Sequence, residues 1–136
     1  MRLATRAATA LACLVPTLAL AQSPRPGVDW PSFRGPVASG VSDGFTAPEK
    51  WDAAKGEGVL WKTKVPGLAV SSPIVWGDKL FVTTAVSSDP NAVFRHGLFG
   101  DVEPSKDVKS HSWRVLCLDK KTGKVLWEKV AHEGVP

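Results

Sequence analysis

Two registers of apolar residues alternate along the last third of the chain. Trp113, Val115 and Cys117 interleave with Arg114, Leu116 and Leu118, and after a polar break Val125 and Trp127 interleave with Leu126 and Glu128. A period of two is that of a β-strand, so the pattern predicts two strands joined by a tight turn over residues 119–123. The turn chemistry agrees: Asp119 can accept bonds from the amides just ahead of it, and Gly123 tolerates a positive φ. Upstream, the text PGLAVSSPIVWGDKLFVTTAV predicts a second hairpin, with Gly77-Asp78 as its two-residue turn. Leu80, Val82, Thr84 and Val86 share one face of its later strand and Phe81, Thr83 and Ala85 the other, as in a strand covered on both sides. Strands are expected over residues 59–65, 72–76 and 79–86.

The connections are less regular. Residues 22–58 are rich in Pro, Gly, Ser and Asp and predict an irregular lead-in, with Trp30, Phe33 and Trp51 pinning it to the sheet. Exposed, the same aromatics would instead make a platform for sugars. Residues 87–112 show no period and predict a long loop carrying Phe94, Arg95, His96, Phe99, Asp101, Glu103 and His111. Loops of that length are functional or disordered, and the aromatics favour one that packs.

The beginning of the chain reads differently. Arg2 and Arg6 precede an apolar run from Ala7 to Leu20 that ends in Ala19-Leu20-Ala21, the pattern of a cleavable secretory signal over residues 1–21. The run falls short of the roughly 20 residues of a membrane-spanning helix, and Pro16 interrupts it. Lipid attachment at Cys13 is the alternative, with Ala10-Leu11-Ala12 a poor match to the required box. Loss of residues 1–21 would remove two arginines and no acid, lowering the formal net charge from +4 to +2. Lys120, Lys121 and Lys124 crowd a single turn and form no basic stripe, so nucleic-acid binding is unsupported. Cys117 would then be the one remaining cysteine, without a disulfide partner in the chain, and its place on an alternating strand suits a small buried hydrophobe.

The spacing small residue, x, Asp, x2, Thr-Gly, x3, Trp, carried by Cys117, Asp119, Thr122, Gly123 and Trp127, resembles the tryptophan-docking repeat of PQQ-like (quinoprotein-type) β-propellers, with Cys117 in place of the usual Ala. Val59-Leu60-Trp61-Lys62 echoes Val125-Leu126-Trp127-Glu128, and such self-similarity marks an array. A generic hairpin with a buried Trp is the alternative for the single motif. The wider text from Asp29 to Pro36, Pro66 to Ala85 and Leu118 to Pro136 resembles the amino-terminal part of secreted bacterial propellers of this kind. The resemblance implies an all-β fold, a β-propeller of four-stranded antiparallel blades, with only the lead-in and the first one to two blades in residues 59–136. A propeller closes from several blades, so the chain is expected to be a fragment requiring further blades.

On function, the motif residues have structural roles, and no nucleophile stands beside a base. The expectation is a secreted or periplasmic, noncatalytic binding or scaffold module with an unknown protein or small-molecule partner. The alternative is a quinoprotein dehydrogenase that oxidises alcohols or sugars with pyrroloquinoline quinone (PQQ) and calcium, because the same repeat builds those enzymes. Their catalytic Asp, calcium-binding acids and vicinal Cys pair have no counterpart here, so no catalytic, cofactor or metal residue can be named, and PQQ with calcium would belong to a longer protein. A polysaccharide-binding or sensor ectodomain is a third possibility. His96 and His111 lie too far apart in sequence, and without companion ligands, to constitute a metal motif. His132 and Glu133 likewise have no visible partner.

Overall fold

The computed structural model describes residues 22–68, 71–93 and 107–136. The expected secretory signal and the middle of the long loop, including Phe94, His96 and Phe99, lie outside the described residues. Four strands, β1 (Ile74–Trp76), β2 (Lys79–Ser87), β3 (His111–Asp119) and β4 (Val125–Gly134), form one antiparallel sheet in chain order. The all-β expectation holds. Among the described residues no helix is long and apolar enough to cross a membrane.

Both predicted hairpins form. Trp76 pairs with Lys79 across Gly77-Asp78, where Gly77 takes a φ of 61°. At the second turn the Asp119 carboxylate accepts bonds from the Lys121 and Thr122 amides and from the Thr122 hydroxyl. The Gly123 amide donates to the Asp119 carbonyl at 2.9 Å, with Gly123 at a φ of 71°. The β2–β3 ladder runs unbroken from Lys79–Asp119 to Ser87–His111, so the loop is shorter at each end than its aperiodic sequence suggests.

Leu80, Val82, Leu116 and Leu118 lie on one face and meet Val65 from the segment that precedes β1. Leu116 and Leu118 are fully buried, each contributing about 2 kcal/mol by removal of apolar surface from water. On the other face Phe81, Cys117 and Trp127 form one cross-strand row. Cys117 is fully buried there, as expected for a small hydrophobe, and the flanking Phe81 and Trp127 rings are 6.1 Å apart.

Three expectations need correction. Cys117 pairs with Trp127 but Leu118 pairs with Val125, so Leu126 is an extra residue and Val125 and Trp127 fall on opposite faces. Residues 59–65 enter no ladder, because Trp61 and Thr63 bind the β3–β4 turn through their side chains instead. Among the three aromatic pins only Trp30 is half-buried: its backbone makes a reciprocal bridge to Val75, with both bonds 2.8 Å, whereas Phe33 and Trp51 are about 70% exposed.

Candidate functional site

The end of the sheet that carries both hairpin turns is where distant parts of the chain converge. The Trp61 indole Nε1 donates to the Lys120 carbonyl at 3.0 Å, and the Thr63 hydroxyl donates to the Gly123 carbonyl at 2.6 Å. The indole lies so close over Gly123 that a Cβ there would fall 2.5 Å from Cδ2 and nearer still to Cε3. Glycine is therefore required twice over, by its φ and by the ring above it. The turn is also tied to its neighbours: the Lys120 amide donates to Asp78 and the Lys120 ammonium to the Val28 carbonyl. Hydrogen bonds to Thr122, through its side chain and then its amide, hold the Asp119 carboxyl below its ordinary range.

The lead-in closes the same end through Asp29, a buried carboxylate. It accepts from the Gly77 amide at 2.6 Å, the Arg25 amide at 2.8 Å and the Arg25 guanidinium at 2.9 and 3.1 Å. The guanidinium and then the Gly77 amide keep its carboxyl well below the usual carboxylate range. Sequence reading missed this site. The clue available was an Arg and an Asp four apart ahead of Trp30, but the Gly77 partner is supplied by the fold.

All five predicted motif residues lie on this hairpin. Asp119, Thr122 and Gly123 build the turn, Cys117 sits behind it, and Trp127 stands on β4. The turn is occupied by Trp61, the matching residue of the earlier Val-Leu-Trp sequence. Trp127 itself is 39% exposed, next to exposed Leu126. One indole is thus docked, and its sequence equivalent stands open on the last strand.

At the opposite end of the sheet, Ser87, Ser88, Ser110, His111, Arg114 and Glu133 line a cleft of about 220 Å³. Arg114 is bound to Glu128 at 2.7 Å and to the Ser112 hydroxyl at 2.8 Å. His111 and His132 flank Trp113, with ring centroids 5.8 and 5.2 Å from it. Among the described residues no three His, Cys, Asp or Glu side chains converge on a point where a metal ion would sit. No protein-family model, no curated protein and no solved structure matches the chain.

Proposed function

We propose that this sheet is one blade of a PQQ-like β-propeller, exported to the periplasm or secreted, that acts as a noncatalytic binding or scaffold module. The observation that carries the reading is the seat of Trp61 on the β3–β4 turn, N–H to the Lys120 carbonyl and ring on Gly123. A repeat that places one Trp on the turn of the next unit makes an array, and Val125-Leu126-Trp127 repeats the donor half of the contact. In the assembled ring a further unit would present its own turn to Trp127 and cover Leu126.

A noncatalytic role is favoured by what the carboxylates do. Asp29 and Asp119 hold turns and the lead-in, Asp52 binds the Ala54 and Lys55 amides, and Glu128 pairs with Arg114. Each has a fold-building partner, whereas a dehydrogenase site needs acids turned towards substrate and calcium.

Two measurements test the reading. The purified full-length protein should lack quinone absorbance and calcium-dependent dye reduction; either signal would reinstate the dehydrogenase. Residues 22–136 alone should bind hydrophobic dyes, and a dye-free monomer that melts cooperatively would exclude the blade.

A further inference from the structure

Residues 59–65 have the form of a strand without a sheet. Val59, Trp61, Thr63 and Val65 are half-buried and Leu60, Lys62 and Lys64 between them are exposed, the alternation of a pleated segment with one covered face. The covered face rests on the sheet: Val65 packs against the cluster of Val82, Leu116 and Leu118, and Trp61 and Thr63 bind the β3–β4 turn through their side chains. The backbone is left over. The Val59 amide donates to the Gly56 carbonyl at 3.3 Å, but among the described residues no backbone–backbone bond involves residues 60–65. Rows of open N–H and C=O groups on an extended segment are a template for a neighbouring strand.

Sequence and charge say which strand fits. Val59-Leu60-Trp61-Lys62 matches Val125-Leu126-Trp127-Glu128 of β4, a strand that pairs on one side only, with β3. In that pair Trp127 stands opposite Cys117, and Glu128 binds Arg114 at 2.7 Å. Lys62 occupies the place of Glu128, so the charge is reversed, and an acid fits where β3 has Arg114. The face beneath also has apolar surface left to cover. Val125 and Val130 pair with Leu118 and Arg114, on the face against which Val65 packs, and both are exposed.

We infer that residues 59–65 are the outer strand of a second sheet, laid on the first, whose remaining strands come from a further repeat unit of the full-length protein. The strand beside it runs antiparallel, with a small residue opposite Trp61 and an acid where β3 carries Arg114. This rests on the reading of the protein as an array. It adds that one segment is shared between two sheets: its side chains serve the sheet described here, and its backbone serves the other.

Amide hydrogen exchange of the full-length protein, resolved by residue, tests this. An outer strand bonds on one side only, so alternate amides between Leu60 and Val65 should exchange at least about tenfold more slowly than their intrinsic rates, whatever the protein concentration. Lys62→Glu and Lys62→Gln both remove the ammonium that binds the Ala53 carbonyl, so a difference between them reads the charge of the partner strand. Protection should be about fivefold lower in Lys62→Glu than in Lys62→Gln. Protection below about tenfold at every one of these amides, equal protection in the two variants, or protection that rises with protein concentration, the mark of a second copy, overturns the inference. The stability of Trp127→Ala reports the array separately: a large loss there with residues 60–65 unprotected would sink the shared strand and leave the array standing.

Discussion

Trp61 and Gly123, 62 positions apart in sequence, are in face-to-backbone contact, with the indole N–H bonded to the carbonyl of Lys120 within the same turn. Replacing Gly123 by Val therefore meets two obstacles. The left-handed φ alone costs about 1–2 kcal/mol, and the new side chain must displace the ring. Gly123→Val should lower stability by about 3 kcal/mol in a denaturant titration. A loss below about 1 kcal/mol would mean that the indole does not rest on this turn.

Asp29 gives a pH-dependent prediction. Its carboxyl is held below the ordinary range by Arg25 first and the Gly77 amide next, so it stabilises the fold fully above the unfolded-state pKa of about 4 and loses that effect as the pH falls towards the folded value. Asp29→Asn should lower the melting temperature by several degrees at pH 7, and the gap to wild type should narrow progressively as the pH is lowered from 4 through 3 and below. A gap unchanged between pH 7 and pH 3 would assign the loss to shape and not to charge.

The two hairpins were legible because their determinants are local: Gly77-Asp78 and Asp119 to Gly123 lie within a few residues of the bonds they make. What escaped reading depends on distant partners. Phe33 and Trp51 look like anchors by composition, yet whether an aromatic finds a surface is decided by the rest of the fold, and these two remain exposed. The bulge at Leu126 breaks an alternation that periodicity simply extends, reversing the face of Val125 relative to Trp127. Asp107 and His111, four apart in an aperiodic stretch, carry no pattern of their own; the strand register that brings Ser87 to them creates the cluster.

Cys117 should behave as an inert thiol. It is fully buried in the row between Phe81 and Trp127, so a disulfide reagent should label it only as fast as the sheet opens, and rapidly in denaturant. Cys117→Ala removes one sulfur from this contact and should destabilise by about 1 kcal/mol. Rapid labelling of the native protein would show that this face of the sheet is open.

Trp127 separates a sheet complete in itself from a blade in an array. In the structure described here its ring is 39% exposed and rests against Phe81 across Cys117, so truncation within an isolated sheet should cost only about 1 kcal/mol. In a ring where Trp127 meets the turn of a following unit as Trp61 meets Gly123, the same truncation removes a desolvated indole and its hydrogen bond, a loss of about 3 kcal/mol. The informative comparison is Trp61→Ala beside Trp127→Ala in the full-length protein, with stability read from denaturant unfolding. Matching losses, together with tryptophan emission that loses a quencher-resistant component in both variants, are the expected result. A large loss for Trp61→Ala with almost none for Trp127→Ala would leave the last strand as a true outer edge and remove the array.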